Sequence, residues 1–162
     1  MAYVLDTNVF ISAKNLHYGF DFCPAFWEWI IHKNKVGEVF SIEKVGDELQ
    51  ALEDELSEWA AARGPQLFVP PDSSVVPELA RVSQWVQGQN YKPAATNLFL
   101  QGADLYLIAQ ALARRHVVVT HEKPANSRNI VKIPNVCIAL GVKCMNPFEM
   151  LRTERARFAL VK

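Results

Sequence analysis

The fold of this chain is decided at its start, where residues 1–12 read MAYVLDTNVFIS. The apolar run Tyr3-Val4-Leu5 predicts a short buried strand, and the polar residues Asp6-Thr7-Asn8 follow it directly. A carboxylate at the carboxyl end of a first parallel strand lies where open α/β sheets bind their ligands. Because an unpaired buried charge is costly, we expect Asp6 to share a cation with acids from elsewhere in the chain.

Composition limits the class of protein. The chain has 162 residues, of which 50% are hydrophobic, so we expect a single domain over residues 1–162 with a sizeable core. No apolar run approaches the roughly 20 residues of a membrane span, and the start lacks the features of a signal peptide. We therefore expect a soluble, cytoplasmic protein without a membrane segment. The three cysteines have no CxxC spacing, which argues against a zinc knuckle and a disulfide framework.

Five short apolar segments predict the strands of a parallel sheet that is buried on both faces. These strand segments are residues 3–6, 38–41, 66–69, 117–120 and 136–139. Helical patterns lie between them, from Pro24 onward and over about 42–62, 75–88 and 94–115, with Gly102 weakening the last. Strands that alternate with helices predict an α/β fold, a three-layer α/β/α sandwich with a central parallel sheet and right-handed crossovers.

Two acids on the predicted helices are candidates to meet Asp6. Glu48 falls on the edge of the apolar stripe of the long helix, close to the end of the preceding strand, whereas Asp47 points away. Asp104 is the only charged residue in the apolar segment 98–113. Other interpretations stay open, because Glu48 could be an ordinary boundary carboxylate and Asp104 could form a salt bridge.

A fourth acid, Glu122, follows the predicted strand 117–120 and so lies at the same edge of the sheet as Asp6. Each acid alone is weak evidence for a metal site. Together the four acids, with no lysine predicted among them, indicate a site for a hard divalent cation, Mg²⁺ or Mn²⁺.

Four motifs in this order resemble the PIN domain family: DTNVFI at 6–11, VGDEL at 45–49, ADLYLIAQA at 103–111 and VVVTHE at 117–122. The resemblance covers nearly the whole chain. It implies a Rossmann-like sandwich and a metal-dependent endoribonuclease that cuts single-stranded or structured RNA. Many stand-alone members of this size are toxins that pair with a small antitoxin protein, so the resemblance also implies such a partner.

The resemblance also assigns roles to individual residues. The acids that it places around the metal, as catalytic residues, are Asp6, Glu48, Asp104 and Glu122. The polar residues that it places in support of them are Asn8 and Thr120. Many members carry aspartate where Glu122 stands, so a direct role for Glu122 as a ligand stays open.

Basic residues near the motifs are candidates to attract RNA toward this acidic site. They are Lys14, Lys123, Arg128 and Lys132, and ordinary solvated surface is the alternative for each. His121 flanks the site, and we expect it to face solvent. The aromatic segment 18–22, with Trp27 and Trp29, is either an exposed surface for an antitoxin or a homodimer, or a packed corner.

Two other functions are compatible with parts of the pattern. In a non-catalytic RNA- or protein-binding module of the same fold, the acids would be structural. In an aspartyl phosphatase, Asp6 would be a covalent nucleophile, but such sites commonly carry a second acid where Asn8 stands. No GxGxxG follows a predicted strand and no GxxxxGK loop exists, which excludes the common nucleotide-binding motifs.

Overall fold

The computed structural model describes residues 1–161 and has a five-stranded parallel sheet at its centre. The strands are β1 (Tyr3–Leu5), β2 (Val39–Ile42), β3 (Phe68–Val69), β4 (Val117–Val119) and β5 (Cys144–Met145). Their order across the sheet is β3-β2-β1-β4-β5, and every neighbouring pair is parallel. The predicted parallel sheet is confirmed.

Helices flank this sheet and complete the predicted α/β/α sandwich. Within residues 1–161 they are α1 (Thr7–Ser12), α2 (Pro24–Lys35), α3 (Glu43–Gln50), α4 (Glu55–Ala61), α5 (Val76–Gln87), α6 (Pro93–Gln101), α7 (Ala103–Arg114), α8 (Ile133–Leu140) and α9 (Pro147–Thr153). A π-helical turn, Ala13–His17, extends α1, and a 3₁₀ turn, Gly64–Gln66, precedes β3. None of the helices in the described residues is long and apolar enough to cross a membrane.

Strand β1 is the middle strand because all three of its side chains are apolar and fully buried. Tyr3 pairs with Val39 of β2 on one side and with Val117 of β4 on the other. The chain runs outward from β1 to β2 and β3, and then returns to the opposite side of β1 as β4. The strand order therefore reverses between β1 and β4, and sheets of this class bind ligands at such a switch point.

The prediction of a strand at 136–139 is wrong, because these residues belong to α8. Pro134 stands in the first turn of α8, and Gly141 ends the helix with a φ of 74°. An apolar run of this length does not distinguish a buried strand from a buried helix by periodicity, and here the start and stop residues decide. The fifth strand lies further along the chain, at Cys144–Met145.

The helix predicted over 42–62 is divided into α3 and α4. Asp54 begins α4 by accepting a hydrogen bond from the backbone N–H of Ser57, and the Ser57 hydroxyl accepts one from the Asp54 N–H. Glu53 has a φ of 54°, a left-handed conformation that ends the preceding segment. A reciprocal cap of this kind satisfies free N–H groups at a helix start, so it favours the start of a new helix over continuation of the preceding one.

The helix predicted over 94–115 is likewise divided at Gly102, which lies in extended backbone between α6 and α7. Helix α7 then packs across β1, β2 and β4 through buried residues such as Leu107 and Ile108. Because Asp104 is in the first turn of α7, this packing brings its carboxylate to the carboxyl edge of the sheet.

The aromatic segment 18–22 is mainly a packed corner. Tyr18 stacks on Phe26 with ring centroids 4.5 Å apart, and Phe20 stacks on Trp27 at 4.2 Å. Phe22 differs from these residues, because 67% of its surface is exposed. Most of the segment therefore stabilises the fold rather than forming an open surface.

The contact between α3 and β3 predicts an unusual effect of a glycine substitution. A Cβ at Gly46 would lie 2.9 Å from Cγ of Phe68. This atom is close to the backbone of β3, so a rotation of the side chain cannot move it far. We expect Gly46→Ala to lower the free energy of unfolding by about 1–2 kcal/mol, although alanine in a helix ordinarily stabilises.

Chemical denaturation measures this change. The control is Gly88→Ala, at the end of α5, where the new Cβ would meet backbone oxygens only at 3.4 Å or more and φ is −79°. We expect the control to be neutral or slightly stabilising. Equal effects of the two substitutions would contradict the close α3–β3 packing.

Candidate functional site

Asp6 is the buried centre of the polar residues at the switch point, with 5% of its surface exposed. It begins α1, and its Oδ1 accepts a hydrogen bond from the backbone N–H of Thr7 at 2.8 Å. Its Oδ2 accepts one from the hydroxyl of Thr120 at 2.8 Å. Burial raises the pKa of Asp6, and the nearby Glu48 charge adds to the rise, while the two hydrogen bonds oppose it.

Thr120 joins the ends of β1 and β4 around Asp6. Its hydroxyl donates to Asp6 and accepts hydrogen bonds from the Asn8 side-chain amide at 3.2 Å and the Glu122 backbone N–H at 3.1 Å. The Asn8 carbonyl oxygen in turn accepts from the backbone N–H of His121 at 3.1 Å. Asn8 and Thr120 therefore hold the loop after β4 against the start of α1.

Glu48 lies at the exposed edge of this network. Its Oε2 accepts a hydrogen bond from the Thr7 hydroxyl at 2.5 Å, which links α3 to α1 beside Asp6. Asp47 lies on a different side of α3, where it lines a separate depression with Gly64 and Pro65. The structure thus brings Glu48, and not Asp47, to the Asp6 carboxylate.

Asp104, like Asp6, has a carboxyl group whose pKa is raised. The pKa of Asp104 is raised to about 7, chiefly by burial and then by the charges of Asp6, Glu122 and Glu48 in that order. Lys132 acts in the opposite direction. These mutual effects mean that the four acids of the separate motifs lie within electrostatic range of one another at one edge of the sheet.

Glu122 is the acid that has a basic neighbour. Its Oε1 lies 3.8 Å from the Lys132 ammonium nitrogen, so the expectation that no lysine lies among the acids is wrong at this position. Burial, and then the Asp6 charge, raise the pKa of Glu122, whereas Lys132 lowers it. Lys132 directly precedes α8, and the wrong assignment of residues 136–139 to a strand concealed this placement.

The donor set suits a hard divalent cation, since carboxylate oxygens are what Mg²⁺ and Mn²⁺ prefer. The repulsion that raises the pKa of Asp104 is also what a cation would relieve. In the part of the chain that the structure describes, no three His, Cys, Asp or Glu side chains already stand where they could hold one ion. Because hydrogen bonds hold both oxygens of Asp6, binding would require the other carboxylates to rotate toward it.

The four basic residues that are candidates to attract RNA differ in whether other groups of the chain already bind them. Lys14 pairs with Asp54 at 3.2 Å, and Arg128 donates to the backbone and side chain of Asn90. Lys132 neighbours Glu122, as above. Lys123 is exposed and, among residues 1–161, forms no ion pair, so it is the base that is free to meet an anion.

Sequence reasoning missed an aromatic group beside the acids. His17, His121 and Phe148 contact one another, with ring centroids 5.0–5.8 Å apart. His121 is half-buried rather than facing solvent, and burial lowers its pKa, with a smaller contribution from the charge of His17. Phe148 is distant in sequence from every acidic motif. The one local signal in its segment is Asn146-Pro147, which is typical of a helix start.

Comparisons with known proteins support the fold. A family model described as a domain of unknown function (DUF4411) matches residues 3–158. The chain is similar to a solved structure of VapBC2 from Rickettsia felis bound to a DNA fragment from its promoter, with 13% identity and a TM-score of 0.56. It is also similar to FitAcB from Neisseria gonorrhoeae, with 18% identity and a TM-score of 0.52. Each match covers 90% of this chain and 98% of the other.

These structural matches confirm the PIN-domain fold that the four motifs indicated. No curated protein matches the chain.

The raised pKa of Asp104 predicts a pH-dependent cost to stability. Because the folded state holds this proton more tightly than the unfolded chain, stability falls as pH rises from the ordinary value of 3.8 through about 7. In a chelating buffer above pH 7, we expect the free energy of unfolding of the Asp104→Asn protein to exceed that of the unmodified chain by on the order of 2 kcal/mol. The difference should shrink toward pH 4.

Urea denaturation at several pH values measures this difference. Asp47→Asn is the matched control, since it removes an exposed carboxylate from the neighbouring helix α3 and should leave the pH dependence unchanged. An Asp104→Asn protein that is less stable than the unmodified chain across the whole pH range would show that Asp104 is not under electrostatic strain.

Proposed function

The chain belongs to the DUF4411 family, and from its PIN-domain fold we propose that it is a Mg²⁺- or Mn²⁺-dependent endoribonuclease that hydrolyses RNA phosphodiester bonds. One observation carries the proposal: four carboxylates from separate parts of the chain, Asp6, Glu48, Asp104 and Glu122, act on one another at the switch point of the sheet. A fold gains nothing from crowding four acids together. Such crowding is typical of functional sites.

The acids Asp6, Glu48, Asp104 and Glu122 would hold one or two ions. A divalent cation bound there supplies an activated water and stabilises the oxygens of an in-line displacement at phosphorus. A pKa of about 7 keeps part of the Asp104 population protonated near neutral pH, so cation binding would release a proton.

The chain's other residues orient this site. The Thr7 N–H and the Thr120 hydroxyl occupy one oxygen each of the Asp6 carboxylate, which fixes its plane. Asn8 supports Thr120, and Lys132 limits the negative charge around Glu122. Lys123, exposed beside Glu122, is the base best placed to attract the RNA backbone, because dense carboxylates otherwise repel it.

A non-catalytic binding module of the same fold is the second candidate. It is favoured by the absence, among residues 1–161, of three acids already placed around one point. An aspartyl phosphatase is a weaker candidate. Asn8, where such an enzyme commonly has a second acid, is engaged on both its amide nitrogen and its carbonyl oxygen.

Neutralising the acids one at a time tests the proposal. With Mn²⁺ and a mixed single-stranded RNA pool, we expect Asp6→Asn and Asp104→Asn to lower the cleavage rate by more than about 100-fold. Loss of residues that merely support ligands ordinarily costs about 10–100-fold, and loss of a direct ligand should cost more. Glu48→Gln and Glu122→Gln should show smaller losses, because Glu48 is exposed and Glu122 has a lysine neighbour.

Asp47→Asn is the control in this series and should cleave at the unmodified rate. Excess chelator should abolish cleavage, and added Mn²⁺ should restore it. If the unmodified protein cleaves no faster than Asp6→Asn protein, the nuclease proposal fails. RNA binding without turnover under any divalent ion would favour the binding module, and a burst of phosphoenzyme on a small phosphate ester would favour the phosphatase.

We further propose that the protein is the cytoplasmic toxin of a toxin–antitoxin pair. The support is its fold, because the similar structures VapBC2 and FitAcB are both toxin–antitoxin complexes. The antitoxin would be a small protein encoded directly beside this chain. Phe22 is an exposed aromatic residue to which such a partner, or a second copy of the chain, could bind.

Expression in a bacterial host tests the toxin proposal. The unmodified chain should arrest growth, because uncontrolled RNA cleavage is lethal, whereas Asp6→Asn and Asp104→Asn proteins at equal abundance should not. Co-expression of the small protein encoded next to it should restore growth, measured as colony count. Equal growth of cells that express the unmodified and Asp104→Asn proteins would contradict toxicity through this site.

A further inference from the structure

A cavity of about 560 Å³ opens directly beside the acids, between the loop after β4 and the start of α9. Thr120 and Glu122 line one end of it, so it is continuous with the proposed catalytic site. We propose that this cavity binds one unpaired nucleobase of the RNA, on a nucleotide next to the cleaved phosphodiester. The inference rests on the proposed function and specifies its substrate.

The walls of the cavity suit a flat aromatic ligand. Phe148 and His121 both line it, with ring centroids 5.8 Å apart and planes inclined at 65°. His17 packs edge-on against Phe148 at 5.0 Å and so braces its ring from the side. Aromatic side chains that line a cleft beside a phosphate site are the usual platforms for unstacked RNA bases.

An exposed aliphatic side chain lines the same cavity. Ile138 lies near the end of α8 with 71% of its surface exposed, so an apolar side chain of the cavity wall faces water. The buried residues Pro134 and Met145 also line the cavity. A base in contact with Ile138 and Phe148 would cover apolar surface that otherwise faces water.

Polar groups in the cavity match the edge of a base. The Asn146 carbonyl oxygen accepts a hydrogen bond from the Glu149 N–H at 2.8 Å, which fixes this side chain at the start of α9. Its amide nitrogen makes no hydrogen bond within residues 1–161, so it can donate to a base carbonyl. Glu149 also lines the cavity, and a carboxylate can accept a hydrogen bond from an exocyclic amino group of a base.

This arrangement selects single-stranded RNA. A base inside a duplex is stacked and paired and cannot enter a cavity, so the nucleotide must come from a single strand, a loop or a bulge. Lys123 lies on the cavity rim, where it can meet the phosphate of the same nucleotide. The cavity would thereby place the adjoining phosphodiester beside Glu122 and beside Asp6, which the Thr120 hydroxyl contacts.

Binding of ribonucleosides to the intact, unmodified chain tests the cavity without requiring activity. We expect adenosine, guanosine, cytidine or uridine at millimolar concentration to shift the backbone amide NMR signals of residues 120–123 and 144–149. Ribose alone should shift none of them, because it lacks the base. Chelator in the buffer keeps this measurement independent of any metal.

A matched pair of variants on α8 tests the site of binding. Ile138→Asp places a carboxylate in the cavity wall, and Ala139→Asp places one at the next residue, which is exposed and does not line the cavity. Both are solvent-facing, so neither should unfold the chain. We expect Ile138→Asp alone to weaken nucleoside binding and to lower kcat/KM on single-stranded RNA, each by at least about fivefold.

Substitution of Phe148 tests the stacking contact. Phe148→Ala should weaken nucleoside binding roughly 5- to 100-fold, the ordinary loss for one base–aromatic contact, while Phe148→Trp should retain binding. Circular dichroism checks that both variants are folded. An RNA with a single abasic ribose beside its cleaved bond should lose the same factor in kcat/KM with the unmodified chain.

The outcomes separate this inference from the nuclease proposal. Nucleoside shifts at the cavity that Ile138→Asp removes support the inference, even if no RNA is cleaved. RNA cleavage that is indifferent to Ile138→Asp, to Phe148→Ala and to the abasic nucleotide overturns it and leaves the nuclease proposal intact. Shifts that map elsewhere, or that ribose produces equally, also overturn it.

Discussion

The buried carboxylate of Asp6 is the constraint on which the rest of the structure depends. It ends the middle strand of the sheet, begins α1 and receives the Thr120 hydroxyl from the end of β4. With 5% of its surface exposed, the Asp6 carboxyl group is stabilised by two hydrogen bonds of 2.8 Å that replace contacts with water. The bond from Thr120 also holds the carboxyl ends of β1 and β4 together, so the switch point of the sheet and the centre of the polar site are one place.

The other acids make this place electrostatically unfavourable in the free chain. Asp104 comes to it because α7 must bury its apolar face across the sheet, and its pKa rises to about 7 in consequence. Lys132 offsets part of the charge near Glu122, but the remaining carboxylates repel one another. Stability given up in this way at one edge of a fold is characteristic of sites that bind a cation and an anionic substrate.

The loops after β4 and β5 form the cavity that lies beside the acids. One carries Glu122 and His121, and the other leads into α9 with Asn146 and Phe148. Parallel strands that are neighbours in a sheet end at the same edge, which brings the two loops together. An acidic surface and a cavity with aromatic and apolar walls thus lie side by side, which is the arrangement that the proposed cleavage of single-stranded RNA requires.

The sequence alone was sufficient to predict the parallel sheet and strands β1 to β4 in outline, because strand ends and apolar helix faces have local signatures. The same signatures pointed to four acids that lie within electrostatic range of one another, whose role as metal ligands stays a prediction. It failed at 136–139, where an apolar run has no decisive period, and at the breaks before α4 and after α6, where caps and Gly102 overrode helical continuity. Only the tertiary structure decided which groups meet. Lys132 at Glu122 and Phe148 at His121 are contacts between separate elements, and they depend on the order of strands in the sheet rather than on spacing along the chain.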